Sequence, residues 1–213
     1  MTRRDNNTLA FESDKLTSDQ AYKLISATVT PRPIAWVSSR NGSGAVNLAP
    51  FSSYTFISYT PPKVLISVGP GTESLKDTLV NVGDTGEFCV NAVTQDLLEP
   101  VVNSAYAFPP DASEAAELRV AMQPSRLIGT PFIADAVIAM ECRLDRIIDV
   151  GDLDAHRLIV GTVVCFHVRE AVWQGDRIDP SLYRPLGRIG GPLYVTRGDM
   201  LNAPTPRTRP AAR

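Results

Sequence analysis

Short apolar runs separated by turn residues dominate the hydrophobic pattern of this chain. Apolar or alternating runs of strand length occupy residues 34–37, 46–48, 54–59, 64–68, 87–93, 136–148 and 157–168. Helical spacing is confined to shorter segments at residues 18–27, at 74–83 and after Asp96. Because so few helices cannot provide the crossovers of a parallel sheet, the pattern predicts a mainly β protein. We expect a closed antiparallel barrel with a few short peripheral helices.

Local signals set the ends of two of these helices. Thr17 and Gln20 have the spacing of a capping box, which predicts that the first helix begins at residue 18. In the second helix, Ser74 is the candidate N-cap, and Gly83 lies where a C-cap glycine belongs. Lys76 would then lie in the first turn.

Glycines mark two features of the predicted strands. Residues 41–44 (NGSG) predict a hairpin with a loop longer than two residues. The long runs at 136–148 and 157–168 are joined by a polar link, so we expect them to form an antiparallel pair. Gly161 inside the second run predicts a bulge or bend of the kind that closes a barrel.

The domain organisation is simple. No repeat, low-complexity block or linker divides the 213 residues, and a chain of this length can bury one full core. We expect an N-terminal arm at residues 1–16, one barrel domain at 17–198, and a flexible, basic, proline-rich tail at 199–213.

Charge and hydropathy exclude some classes of partner. A formal net charge of -2 gives no basic field, which argues against nucleic-acid binding. The N-terminus is polar, and no run approaches the ~18 apolar residues of a membrane span. The sequence therefore predicts a cytoplasmic protein with no membrane partner.

The sulfur and imidazole groups give no metal signature. Cys89, Cys142 and Cys165 all lie in apolar strand-like runs and form no C-x-x-C pair, which indicates buried reduced thiols. His156 and His167 lack ligand-type spacing. No metal site is predicted.

The hairpin at residues 30–53 (TPRPIAWVSSRNGSGAVNLAPFSS) contains the largest group of candidate ligand-binding side chains. Its two strands would bring the hydroxyls of Ser38 and Ser39, the amide of Asn47 and a rigid proline loop close together. We interpret this hairpin as the holder of a flavin.

Five motifs support that interpretation by their order along the chain. They are residues 32–38 (RPIAWVS), 47–52 (NLAPFS), 76–78 (KDT) with Asn81, 156–163 (HRLIVGTV) and 188–194 (RIGGPLY). Together they resemble the flavin reductase-like family with an FMN-binding split barrel, and the last motif resembles that of its flavoredoxin-like branch. The resemblance implies a six-stranded antiparallel Greek-key barrel, a homodimer with FMN between the subunits, and electrons from NADH or NADPH. FAD is a second candidate cofactor.

The phosphate of FMN needs positive charge and hydrogen-bond donors. Lys76 supplies charge, and Thr78 and Ser38 supply hydroxyls. The start of the Lys76 helix favours an anion through its free N–H groups and dipole. Asp77 cannot itself favour a phosphate, so we expect it to cap or orient the backbone. A solvated helix lysine is the alternative role for Lys76.

The isoalloxazine ring needs a flat apolar slot with polar groups at its edge. Asn47 provides both a donor and an acceptor for the pyrimidine edge, and Ser52 adds a hydroxyl; an amide that only supports the turn is the alternative role for Asn47. The resemblance also places strand residues near the cofactor, and a place in the simple core is the alternative role for Trp36 and Val68. The predicted cofactor-binding residues are Trp36, Val37, Ser38, Asn47, Ala49, Pro50, Phe51, Ser52, Ser67, Val68, Lys76, Asp77, Thr78 and Arg188.

Hydride transfer to a flavin requires positioning more than side-chain acid–base chemistry. The resemblance suggests His156 as the catalytic residue, near the nicotinamide or a transferred proton. A histidine that only bonds backbone at the barrel end, and an Arg188 turn that is only structural, stay open. No G-x-G-x-x-G fingerprint is present, so NADH or NADPH would be a passing substrate.

Three functions remain. The first is an NAD(P)H-dependent flavin reductase that supplies reduced flavin to a partner monooxygenase. The second is a tight-binding FMN electron carrier, or an FMN oxidoreductase that acts on another acceptor such as a quinone, a metal ion or an aromatic compound. The third is a flavin-free β-barrel binding module, which the acidic composition and the lack of a basic, aromatic stripe oppose.

Overall fold

The computed structural model of the chain describes residues 8–71, 75–109, 111–151 and 156–201. Helices α1 to α4 span Ser18–Thr28, Asp77–Thr85, Leu98–Asn103 and Glu114–Glu117, and short 3-10 helices occupy Ser13–Lys15, Gln95–Leu97 and Glu170–Val172. Strands β1 to β7 span Arg32–Pro33, Ala35–Arg40, Val46–Phe51, Tyr54–Tyr59, Pro62–Val68, Glu87–Ala92 and Met122–Gln123. Strands β8 to β14 span Phe132–Ile133, Ile138–Val150, His156–Val168, Trp173–Gln174, Arg177–Ile178, Gly187–Arg188 and Tyr194–Val195.

The predicted antiparallel barrel is confirmed. Seven strands form one antiparallel sheet in the order β3-β2-β6-β9-β10-β5-β4, one strand more than the resemblance implies. The edge strands β3 and β4 are joined only by Ser52 and Ser53. A flat sheet of seven strands is roughly 29 Å wide, whereas this link spans roughly 10 Å, so the sheet must curl until its edges meet. After β2 to β5, the chain returns to place β6 beside β2, which is a Greek-key connection.

The predicted hairpins are also confirmed. β2 and β3 pair across a five-residue loop, in which the Asn41 side chain accepts hydrogen bonds from the N–H groups of Ser43 and Ala45. β9 and β10 pair along nearly their full length, with one register shift between Val160 and Gly161 and a second between Val163 and Cys165. The glycine therefore marks the predicted bulge.

Apolar side chains pack on both faces of the curved sheet. Ala35, Val37 and Phe51 point into the barrel, where Leu79 and Val82 of α2 join them. Trp36 and Leu48 alternate onto the outer face and pack under α3 and α4. Because β2 is buried on both faces, its first three residues, Ala35 to Val37, are all apolar and do not alternate with polar residues.

The predictions for the ends of α1 and α2 differ in outcome. The capping box of α1 is present, since the Thr17 side chain accepts a hydrogen bond from the Gln20 N–H. The predicted bounds of the second helix were wrong at both ends. Lys76 has extended φ and ψ, so α2 begins at Asp77, and its C-cap is Gly86 at φ 70°. Ser74 lies outside the described residues.

The reason for the late C-terminus is local. Gly86 adopts the left-handed conformation that ends a helix, and its N–H donates to the Val82 carbonyl. Gly83 meets no steric conflict inside the helix, since the nearest side-chain atom to its Cβ position is Ile147 Cδ1 at 3.9 Å. Among the described residues, no helix is both long enough and apolar enough to span a membrane.

Candidate functional site

A cavity of about 560 Å³ opens where β3 ends, between α1, α3 and the β13–β14 hairpin. Its volume lies in the range of roughly 300–1,000 Å³ that is typical of small-molecule sites. The wall combines apolar, hydroxyl-bearing and cationic side chains: Tyr22, Ile34, Pro50, Phe51, Ser52, Val101, Val102, Ala105, Tyr106, Arg188, Gly191, Pro192 and Tyr194. The fold thus brings four predicted site residues, at positions 50, 51, 52 and 188, to one cavity.

Arg32 fixes the corner of the barrel beside this cavity. Its Nε donates to Ser52 Oγ at 3.3 Å. Its Nη1 donates to the carbonyls of Val29 at 2.7 Å, Ile189 at 3.2 Å and Ser26. The guanidinium therefore links the end of α1, the end of β3 and the segment after β13. The sequence motif at residues 32–38 predicted no role for this arginine, because only the fold brings its hydrogen-bond partners together.

Arg188 is the cation of the cavity wall. Its guanidinium carbon lies 4.4 Å from the ring centroid of Tyr194, its cross-strand neighbour, and its Nη2 donates to the Gly191 carbonyl. Among the described residues, no carboxylate forms an ion pair with it. This leaves positive charge at the cavity that an anionic or electron-rich ligand can use.

A second group of predicted residues lies where α2 packs on the hairpin. Asn47 Nδ2 donates to Thr78 Oγ1 at 3.0 Å and to Ser39 Oγ at 3.4 Å. Asn81 Nδ2 also donates to Ser39 Oγ, at 3.3 Å. All four side chains are buried. The amide that sequence assigned to a ring edge therefore holds the first turn of α2 against β2 and β3.

The start of α2 has both signs of charge. Lys76 is exposed at the N-cap, and Asp77 follows it in the first turn. Burial raises the pKa of Asp77. Burial also raises the pKa of Glu114, whose Oε2 accepts a hydrogen bond from the Leu48 N–H at 3.3 Å, and the charge of Asp77 raises it further. Two carboxyls thus compete with any anion that binds at this helix terminus.

His156 and Ser67 meet near the β3–β4 corner. His156 Nδ1 lies 3.2 Å from Ser67 Oγ. The N–H of Ser67 donates to the Ser53 carbonyl at 2.8 Å, so the pair is linked to the residue that follows Ser52. Neither His156 nor Ser67 lines the cavity.

The remaining predicted residues lie in the packed interior. Trp36, Val37 and Ser38 have no exposed surface, and Val68 has almost none. Trp36 Nε1 donates to Ser104 Oγ at 2.9 Å, and Ser38 Oγ donates to the Pro131 carbonyl at 2.8 Å. In this conformation their side chains are out of reach of a bound cofactor. Ala49 is partly buried against the inner cluster.

Residues 27–187 match the family model described as the flavin reductase like domain. The chain belongs to this family. The split-barrel flavin reductase fold accounts for the closed sheet.

Solved structures with similar folds extend the family match. Nitrilotriacetate monooxygenase component B from Bacillus cereus is 31% identical, with a TM-score of 0.90 over 93% of this chain and 100% of that one. The 2-nitrobenzoate 2-nitroreductase NbaA from Pseudomonas fluorescens is 34% identical, with a TM-score of 0.86 over 96% of this chain and 100% of that one. A putative split-barrel flavin reductase from Shewanella frigidimarina, at 17% identity and a TM-score of 0.78, shares the fold over 93% of this chain and 100% of that one.

Sequence reasoning missed the aromatic wall of the cavity. Tyr22 comes from α1, Tyr106 follows α3, and Tyr194 comes from β14. These residues are far apart in the chain, so no local pattern groups them. Only Tyr194 could have been predicted from the sequence, since it belongs to the motif at 188–194 that also contains Arg188.

Proposed function

We propose that this chain is an NAD(P)H-dependent flavin reductase that holds FMN, or alternatively FAD, in the cavity at the end of β3. One observation carries the proposal: a cavity of ligand size is lined by Pro50, Phe51, Ser52 and Arg188, which all belong to the sequence motifs of the family. The likeness to a monooxygenase component B, at 31% identity, favours a role in supplying reduced flavin to a partner monooxygenase.

The cavity fits a flavin ring in shape and chemistry. Ile34, Pro50 and Val101 provide an apolar surface, and Ser52 provides a hydroxyl that Arg32 holds in place. When bound, the flavin supplies hydride acceptance and onward electron transfer, which no side chain can provide. The chain contributes binding, orientation and exclusion of water.

The charge that faces the ligand comes from two places. Arg188 lies in the cavity wall and interacts with electron-rich groups there. Lys76 at the start of α2 is the proposed phosphate partner, together with the first N–H groups of the helix, which have no partner within the helix. The Thr78 hydroxyl is buried and accepts from Asn47, so it supports this turn from inside. Asp77 orients the same turn.

His156 is the proposed proton-handling group near the nicotinamide. Its Nδ1 is held by the Ser67 hydroxyl, which leaves Nε2 as the nitrogen that holds or moves a proton. Ser67 is linked through its N–H to Ser53, beside the cavity residue Ser52. This places the histidine on the same corner of the barrel as the proposed ring site.

A homodimer is part of the proposal. Edge strand β4 exposes three large apolar side chains, with Phe56 73% exposed, Ile57 48% and Tyr59 87%. Exposed apolar side chains that are grouped on one strand are typical of an interface. Light scattering of the purified protein should give twice the chain mass. A monomeric mass at micromolar concentration would contradict this part of the proposal.

A second function has its own support. The 34% identity to a nitroreductase favours direct reduction of an aromatic acceptor in the same cavity, without release of reduced flavin. The three tyrosines of the wall suit a flat aromatic acceptor.

Steady-state assays separate the two functions. Purified protein is first titrated with FMN and FAD, and then mixed with NADH or NADPH under anaerobic conditions. Repeated reduction of excess free flavin supports the reductase. Reduction of only one bound equivalent, with turnover restored by a nitroaromatic acid, supports the second function. Absence of flavin binding would contradict both.

A further inference from the structure

We propose that Glu141, Cys165 and His167 form a zinc-binding site on the outer face of the barrel, separate from the proposed flavin site. One ligand atom from each residue lies within 4.8 Å of the other two. None of the three lines the cavity at the end of β3. This site therefore adds a second bound group to the protein and does not depend on the proposed function.

A register shift in the sheet creates this cluster. Cys142 of β9 pairs with Val163 of β10, and the adjacent residue Glu141 pairs with Cys165. One extra residue therefore lies in β10 between Val163 and Cys165, which is a β-bulge. Val163 points into the barrel. Without the inserted residue, Cys165 would share that inward face. The bulge turns the thiol outward, opposite Glu141, and His167 follows two residues later on the same face.

Two of the three ligands, Glu141 and His167, are held in place before any ion binds. Glu141 has no exposed surface, and its carboxylate accepts hydrogen bonds from the N–H groups of Arg126 at 2.6 Å and Leu127 at 2.8 Å. His167 Nε2 lies 2.5 Å from Glu141 Oε1. The His167 ring also stacks on Phe132, with 4.2 Å between ring centroids. The backbone N–H groups and the stacked ring orient the two ligands, whereas the direct contact between His167 and Glu141 must give way to the ion.

The donor set selects the class of ion. A thiolate, an imidazole and a carboxylate together suit Zn²⁺, whereas Ca²⁺ and Mg²⁺ require oxygen donors. Three protein ligands leave a fourth position for water, as in open zinc sites. Binding requires Cys165 as the thiolate, so its proton is released to solvent.

Zinc binding requires only a small movement of the ligand atoms. In tetrahedral zinc sites the ligand atoms lie roughly 3.3–3.8 Å apart, so the contact between His167 and Glu141 must open by roughly 1 Å. Cys165 and His167 are partly exposed, which gives an ion access from solvent. The neighbouring Cys89 is not part of the cluster, because its thiol contacts Ser125 Oγ and the Thr130 carbonyl.

The test uses untagged, full-length protein that has been treated with a chelator. Addition of Zn²⁺ at roughly a hundredfold excess over its Kd should raise Tm by about 5–10 °C. Co²⁺, as a spectroscopic substitute, should give a thiolate-to-cobalt charge-transfer band at one equivalent per chain. Cys165→Ser should abolish that band, and His167→Gln should abolish the Tm shift.

Two matched variants serve as controls. His156→Gln removes the histidine at the other end of β10, and Cys89→Ser removes the thiol on the adjacent strand. Both should keep the band and the shift. Absence of both signals in the unmodified protein, or equal losses in His156→Gln and His167→Gln, would overturn the proposal. The FMN affinity of Cys165→Ser, measured in parallel, should not change, which separates this site from the flavin site.

Discussion

A Cβ atom at Gly161 would lie 2.3 Å from Cζ of Phe88 and 2.8 Å from its Cε1. Phe88 is fully buried in the inner cluster, so its ring has nowhere to move without disturbing other core side chains. The backbone of β10 at the bulge therefore packs directly against a core aromatic ring. Only glycine fits between them.

We predict that Gly161→Ala lowers the free energy of unfolding by about 1–3 kcal/mol, because the added methyl overpacks the core. Urea denaturation followed by fluorescence measures this. Gly42→Ala is the control, since no atom lies within 4 Å of its Cβ position, and its change should stay within about 0.5 kcal/mol. Equal stability of the two variants would contradict the close contact with Phe88.

Trp36→Phe should separate stability from flavin binding. The change removes the buried hydrogen bond to Ser104, so the free energy of unfolding should fall by about 1–3 kcal/mol. The Kd for FMN should stay the same, because Trp36 is fully buried. Ser52→Ala should do the opposite and weaken FMN binding with little loss of stability. Loss of FMN affinity in Trp36→Phe would place this side chain at the cofactor.

Lys76→Ala should weaken FMN by roughly 10- to 150-fold, the equivalent of one charge-assisted hydrogen bond of about 1.5–3 kcal/mol. Riboflavin, which lacks the phosphate, should bind as before. Fluorescence titration with both ligands measures this, and Lys23→Ala, an exposed lysine paired with Asp19, is the control. If Arg188→Ala shows the phosphate-selective loss and Lys76→Ala does not, the phosphate lies at the cavity.

Glu114→Gln should change how stability depends on pH. The pKa of Glu114 is raised above its ordinary value of 4.5 by burial and by the charge of Asp77. A raised pKa means that the native state binds the proton more tightly, so this contribution to stability is complete below about pH 4.5 and is lost as pH rises through the native-state pKa.

Gln can still accept the hydrogen bond from the Leu48 N–H but carries no charge. The Glu114→Gln protein should therefore be more stable than the unmodified protein at pH 7, and the difference should disappear at pH 4. Thermal unfolding across this range measures it. A difference that is constant with pH would show that Glu114 does not titrate in this window.

His156→Gln should lower kcat for NAD(P)H oxidation while leaving the Kd for FMN unchanged, because His156 does not line the cavity. Stopped-flow reduction of bound flavin and its pH profile measure the effect. If Tm falls but the reduction rate and its pH profile are unchanged, His156 only supports Ser67 and the barrel end. Ser67→Ala should then give the same loss of Tm.

The local signals of the sequence determined much of the fold. The capping box at Thr17 and Gln20, the hairpin loop at residues 41–44 and the bulge at Gly161 are all properties of short segments. Each depends on backbone geometry that a few neighbouring residues decide. The order of the five sequence motifs along the chain was sufficient to indicate the family.

The tertiary structure alone decided which side chains share a site. Because side chains on a strand alternate between faces, Trp36 and Ser38 point away from Val37. Both faces of this strand are buried, so the hydrophobic pattern of the sequence does not show which residues share a face. The cavity that joins Ser52 and Arg188 needs closure of the barrel. The cluster of Glu141, Cys165 and His167 needs one inserted residue in β10. Sequence spacing does not record the contacts between distant segments, which only the curled sheet creates.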